Sequence, residues 1–146
     1  TFAGGYIIQD TDTKEDFESD WKIVTKTKPS KNEFTDLKFA WKAIKHVKSN
    51  GILLVKNQSI IGLGTGQPNR INSIEIASKV AGGKSNNSVL ASDAFFPFAD
   101  NVQLAHSIGV KSIIQPGGSI RDPEIVDLAN KLNISMIFTG IRHFKH

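Results

Sequence analysis

From residue 88 onward three apolar runs of strand length, 89–91, 110–114 and 134–138, are separated by two segments with helical spacing. The first helical segment begins at Asp100, runs to about Ser107 and ends at Gly109. The second opens with Asp122-Pro123-Glu124 (a capping carboxylate, a proline in the first turn and an acid at the positive dipole end) and buries Ile125, Leu128, Ala129 and Leu132. A right-handed crossover through each helix lays the three strands parallel, with their C-terminal ends on one edge of a sheet. That grammar restricts the chain to the α/β class.

Each of these strands runs into an unusual loop: 93–100, 116–119 and 140–146. In an open parallel sheet ligands bind along the edge where such loops gather. In the first loop Phe95, Phe96 and Phe98 crowd around Pro97, an aromatic load that a surface loop does not normally carry. The rings either plug the end of a core or cover a ligand. Asp93 and Asp100 bracket them, and fixed carboxylates beside flat rings suit a planar heterocycle with N–H groups.

The first half of the chain adds antiparallel partners and one long helix. Residues 4–9 and 21–25 have strand character, with an acidic solvated loop at 10–20 between them. A helix starting at Thr35 or Asp36 places Leu37, Ala40, Trp41, Ile44 and Val47 on one face, with Lys38, Lys42, Lys45 and Lys48 as its wet side and Asn50-Gly51 as its stop. Residues 51–56 and 59–63 are separated only by Asn57-Gln58 and pair as a hairpin. The sheet is therefore mixed.

After the hairpin comes Gly62-Leu63-Gly64-Thr65-Gly66-Gln67-Pro68-Asn69-Arg70, then a helix carrying Ile71, Ile74, Ala77 and Val80 or Ala81. A dinucleotide fingerprint fails at its third glycine, and a phosphate loop fails for want of a lysine and hydroxyl at its end. What remains is a close backbone approach at the glycines and an anion site under Arg70 at a helix N-terminus, with a plain tight turn as the other account.

The chain of 146 residues fits a single globular unit, and its net charge of +4 suits an anionic ligand more than a nucleic acid. All three arginines, Arg70, Arg121 and Arg142, fall in loops or at element ends, where a planar fork grips phosphate or carboxylate. The absence of cysteine excludes disulfides and thiolate zinc sites and suits a soluble cytoplasmic protein. No apolar stretch reaches membrane-helix length. The start at Thr1 suggests a cut end.

Residues 37–50 (Leu-Lys-Phe-Ala-Trp-Lys-Ala-Ile-Lys-His-Val-Lys-Ser-Asn), 62–70, 92–101, 115–122 and 142–146 resemble, in order, the C-terminal part of the bifunctional purine biosynthesis family. That family joins 5-aminoimidazole-4-carboxamide ribonucleotide (AICAR) formyltransferase to inosine monophosphate cyclohydrolase. The resemblance implies a cytidine-deaminase-like three-layer αβα fold with a mixed sheet. Residues 1–146 would be the C-terminal portion of the transformylase domain, without its first half and without the cyclohydrolase domain. It does not imply zinc, because the His-x-Glu and Pro-Cys-x-x-Cys signature is missing.

By resemblance Asn50, Arg70, Phe95 and Arg142 would contact the AICAR nucleotide. Ile71, Pro97, Phe98, Asp100, Asn101 and Ser119 would line the pocket of the cosubstrate 10-formyltetrahydrofolate, with Phe98 packing on the pterin and Asp100 accepting its N–H groups. A structural potassium ion would lie near Ser49, Asp93, Phe144 and His146. Among the other histidines, His106 reads as a surface helical residue, and His46 and His143 as structural. The family implies a homodimer in the full-length protein.

The family's catalytic Lys-His-x-x-Pro-x-Gly segment and its Arg-Tyr-Gly-x-Asn-Pro-His-Gln block do not occur in this sequence. Lys45-His46 is followed by Val47-Lys48-Ser49-Asn50 and lies within the amphipathic helix, so the role does not pass to it. No catalytic residue is assigned, and the chain alone is expected to be inactive. The alternative class is a single-stranded nucleic-acid module in which Phe95, Phe96 and Phe98 stack on bases.

Overall fold

The hairpin and the parallel strands join in one sheet of six strands among the described residues, which in this computed structural model are 4–6, 8–14 and 16–146. The suggested cut end at Thr1, Ile7 of the expected first strand and Glu15 of the acidic stretch lie outside them. The strands are β1 (Lys22–Ile23), β2 (Ile52–Lys56), β3 (Ser59–Gly64), β4 (Val89–Ser92), β5 (Ser112–Gln115) and β6 (Ser135–Phe138), in the order β1-β6-β5-β4-β2-β3. β4, β5 and β6 run parallel, while β2 is antiparallel to β3 and β4, and β1 to β6. The mixed sheet expected from the sequence is the one found.

Helices cover both faces. Alternate residues of a strand point to opposite sides. Leu54, Leu90, Ile113 and Met136 face a core closed by α2 (Arg70–Ala81), α3 (Asp100–Ser107) and α4 (Asp122–Lys131). Leu53, Val55, Val89, Ala91, Ile114 and Ile137 face α1 (Lys31–Ile44). The arrangement is the three-layer αβα sandwich.

Helix α1 departs from expectation at both ends. It starts at Lys31, four or more residues before Thr35 and Asp36, because Ser30 and Glu33 form a reciprocal capping box: the Ser30 hydroxyl accepts from the Glu33 N–H, and the Glu33 carboxylate accepts from the Ser30 N–H at 2.6 Å. Such a cap is worth about 1 kcal/mol, against about 2 kcal/mol for each fully buried Leu37 or Ile44 side chain. The cap therefore fixes where the helix begins, and packing decides that it forms. Asp36 is instead a buried interior residue whose carboxylate accepts from the backbone N–H groups of Asn57 and Gln58 at 2.9 and 2.6 Å, tying the hairpin turn to the helix. The helix ends at Ile44, ahead of Asn50-Gly51, and Lys45-His46 sits in the turn after it. Asn50 is held outside any helix, its amide donating to Gln67 O and its carbonyl accepting from the Ser73 hydroxyl.

Asn57 and Gln58 have φ of 52° and 54°, the pair of left-handed conformations that a two-residue hairpin turn requires. Among the described residues of the expected strand at 4–9, only Gly5 makes an isolated bridge and none belongs to a strand of the sheet. Tyr6 and Ile8 are 82% and 89% exposed, and Gln9 turns its side chain to the C-terminal tail. The acidic stretch is only partly solvated: Glu18–Asp20 forms a 3-10 turn, and Asp16 accepts from the indole N–H groups of both Trp21 and Trp41. Two carboxylates sit one place inside their helices. Ala99 holds the cap position of α3 and Arg121 that of α4, and the Asp122 carboxylate accepts from Gly118 N at 2.7 Å.

Candidate ligand-binding rim

The C-terminal ends of β4, β5 and β6 lie side by side, and the three loops that leave them are bonded to one another. Phe96 N donates to the Gln115 side-chain oxygen at 2.8 Å, Gly140 N to Pro116 O at 2.9 Å, and His143 N to Asp93 O at 2.9 Å. The rim expected from the alternation of strands and helices is therefore one continuous surface.

Asp93 is its hub. The side chain has no solvent exposure, and its two oxygens take different partners: Oδ1 accepts from the Arg70 guanidinium at 2.9 Å and Oδ2 from the Ser49 hydroxyl at 2.5 Å. Its backbone N–H donates to Gly51 O at 3.2 Å. A carboxylate this deep is tolerable only because a charge and a hydroxyl satisfy it. Arg70 also donates Nε–H to the Ser92 hydroxyl at 3.1 Å, so two of its five donors are taken. Arg70, Asp93 and the tail thus meet at one point; Asn50 lies between Ser49 and Gly51, which both bond Asp93, but turns its own amide to Gln67 O, and Phe95, half-buried, is two residues along the loop.

Two glycines of the glycine-rich segment serve close packing. A Cβ on Gly62 would stand 2.3 Å from Ala77 O, and one on Gly64 1.8 Å from Ser73 O. What the backbone approaches closely is helix α2. The helix N-terminus is capped by the Asn69 side chain, and Arg70 turns inward to Asp93.

The aromatic loop divides. Phe96 is fully buried in the core with Ile52, Leu90 and Ile113, so the plug reading holds for that ring. Phe98 is 51% exposed, with the Arg121 guanidinium 4.9 Å from its ring centre. A stacking platform of three phenylalanines, the basis of the nucleic-acid alternative, does not exist. Beside Phe98, the Asn101 amide donates to Phe98 O at 3.1 Å and to the Asp100 carboxylate at 2.8 Å, while its Oδ1 is buried without a partner. Ser119 belongs to the same patch, its hydroxyl accepting from Arg121 N at 3.1 Å, and Ile71 is half-buried in the first turn of α2. Exposed Arg142 stands 5.2 Å from the Phe144 ring and, with Gly140 and residues 9–14, lines a cavity of about 600 Å³.

Residues 1–80 match the family model described as the AICARFT/IMPCHase bienzyme. The chain belongs to that family. Over 144 residues, 99% of this chain, it is 52% identical to the bifunctional purine biosynthesis protein PurH of Streptococcus mutans, and equally to those of Streptococcus agalactiae and Streptococcus pyogenes. It spans 28% of the length of these relatives. Among solved structures, RibD of Acinetobacter baumannii aligns with a TM-score of 0.49 and 14% identity over 73% of this chain and 34% of that one.

Within this AICARFT/IMPCHase chain the residues expected near a potassium ion gather only in part. Ser49 touches Asp93, and its N–H and hydroxyl pair with Lys145 O and N at 2.9 and 3.1 Å. Phe144 O accepts from the Gln9 amide, and His146 N donates to Gln9 Oε1 at 3.0 Å. Among the described residues no group of three or more His, Asp or Glu is set to hold a metal ion. Hydroxyl, carboxylate and main-chain oxygens of Ser49, Asp93 and the tail are of the hard type that a monovalent ion takes, with Arg70 already balancing the charge of Asp93.

Sequence reasoning missed Gln9, Asp12, Asp16 and Gln115 as organisers of the rim. His143, read as structural, is buried against Trp41 and bonds Asp12 at 2.5 Å. His46 is exposed in the turn after α1, and His106 is half-buried on α3. Only Gln115, buried at a strand's C-terminal end, carried a local signal: a polar side chain at that place must find a partner.

Proposed function

We propose that this chain is the C-terminal, ligand-shaping portion of an AICAR transformylase domain. It would hold AICAR and 10-formyltetrahydrofolate for formyl transfer in purine biosynthesis, as part of a cytoplasmic bifunctional enzyme that also has cyclohydrolase activity and works as a homodimer. The reading rests above all on the joining of the three loops at the C-terminal edge of the parallel strands around the buried Asp93–Arg70 pair. Asn50, Arg70, Phe95 and Arg142 take the nucleotide. Ile71, Pro97, Phe98, Asp100, Asn101 and Ser119 take the folate, with the orphaned Asn101 Oδ1 and the Asp100 carboxylate as acceptors for pterin N–H groups. A potassium ion held by oxygens of Ser49, Asp93, Phe144 and His146 would brace the tail.

In the reaction the 5-amino nitrogen of AICAR attacks the formyl carbon, a C–N bond to the folate breaks, the amine loses a proton and the folate nitrogen gains one. The residues described here bind and orient the two reactants, which is a large part of such a barrier. The proton-transfer pair belongs to the Lys-His-x-x-Pro-x-Gly segment, which this sequence does not contain. Calorimetric titration of the 146-residue chain with AICAR and with a 10-formyltetrahydrofolate analogue, alongside a formylation assay, tests this. Binding without turnover is expected. Turnover by the chain alone overturns the missing-pair assignment, and binding of neither ligand overturns the site.

A further inference from the structure

Residues 9–14 cross the C-terminal tail as a strap, and side chains make the fastening. The Gln9 amide grips the tail backbone at two points, donating to Phe144 O and accepting from His146 N at 3.0 Å. The Asp12 carboxylate meets His143 Nδ1 at 2.5 Å. His143 is 3% exposed, its ring centre lies 4.8 Å from that of Trp41, and its N–H bonds Asp93 O. It is therefore wedged between strap, helix α1 and hub. Arg142 is the residue next to this anchor, and it lines the same cavity of about 600 Å³ whose other wall is the strap.

An exposed arginine in a segment without regular secondary structure has many rotamers, and holding its backbone removes much of the ordering cost of ligand capture. We infer that Gln9 and Asp12 are positioning residues that seat the tail so that Arg142 meets the anionic or carboxamide end of the nucleotide. This rests on the nucleotide reading of Arg142 above. The grip is local and polar, so it can be released without touching the core.

The test uses the 146-residue chain and three variants, Gln9→Ala, Asp12→Ala and Asp12→Asn, with Arg142→Ala as reference. Amide hydrogen exchange at residues 143–146 reads the strap without any ligand, and calorimetry with AICAR reads positioning. Gln9→Ala and Asp12→Ala are each expected to speed exchange in the tail and to weaken AICAR binding roughly tenfold, equivalent to about 1.4 kcal/mol. Asp12→Asn keeps an acceptor oxygen for His143 and stays within about twofold of the parent, a loss of about 0.4 kcal/mol. Combining Asp12→Ala with Arg142→Ala adds little to Arg142→Ala alone, because the two act through one contact. Unchanged tail exchange in both alanine variants overturns the strap. Faster exchange with unchanged AICAR affinity overturns the positioning role. If the parent chain binds no AICAR, the nucleotide reading fails and positioning with it, while exchange still decides the strap.

Discussion

The connection from β3 to α2 and the connection from β4 to α3 both carry small residues out of a strand, and they differ in what they press against. At the head of the first, Gly62 and Gly64, which close β3, lie so near α2 that the helix backbone occupies the space of a side chain. In the second, Ser92, Asp93, Ala94 and Phe96 are buried at the head of the loop, while Phe98 and Asp100 open to solvent. Arg70 joins the two, leaving the first at the start of α2 and ending on Asp93 in the second. The glycines mark where the end of β3 packs on α2, whereas the connection from β4 to α3 is anchored at its base and free at its tip. A binding loop needs both parts, since the anchored base fixes the geometry that the exposed tip presents.

The anchor should carry the largest effects. Asp93→Ala leaves Arg70, whose side chain is only 10% exposed, without its counter-charge and frees the Ser49 hydroxyl. Breaking one side of a buried pair costs about 3–5 kcal/mol, so urea denaturation should show a loss in that range. Phe96→Ala removes a fully buried ring and should cost a similar 3–5 kcal/mol. A loss below about 1 kcal/mol for both would mean that the base of the second connection is no anchor.

The packing at the end of β3 is sharpened by Gly64→Ala. A Cβ placed 1.8 Å from Ser73 O forces α2 away from β3, and the resulting strain should cost about 1–3 kcal/mol in the same denaturation experiment. Gly83, with open space around its Cβ position and no left-handed backbone, serves as the control, and its alanine variant should be near neutral. Equal behaviour of the two variants would remove the packing explanation for the glycine-rich turn.

How far these differences could be read beforehand depended on whether the deciding contact was local. The Asn57-Gln58 hairpin, the parallel order of β4 to β6 and the buried face of α1 follow from spacing within a few residues, and all were legible. Asp36 passed for a helix cap because its true partners, the N–H groups of Asn57 and Gln58, lie 21 and 22 positions away. Tyr6 and Ile8 belong to an apolar run of strand character, but pairing is a property of the partner, and no strand of the sheet accepts them. At the rim, the loops were legible as three chemically unusual strand ends. The hub was not, since Asp93 finds Ser49 44 residues away and Arg70 23 away, and Asp12 finds His143 across 131. Nothing short of the folded chain brings those together.

The exposed tip gives the smallest stability effect and the clearest contrast with its base. Phe98 is half-exposed, and its ring carries the guanidinium of Arg121, itself half-exposed and paired with Glu124 at 3.3 Å. A solvent-facing cation–π contact is worth about 0.5–1 kcal/mol, so Phe98→Ala should lower stability by no more than that, several-fold less than Phe96→Ala two residues away. If the tip serves the ligand, the same substitution removes the flat surface on which a pterin would lie, and affinity for a folate analogue should fall by about 1–2 kcal/mol, or roughly five- to thirtyfold. Calorimetry on the folded variant separates the two terms. A large stability loss would place Phe98 with the anchor, and unchanged folate affinity in a chain that binds folate would move the pterin off this ring.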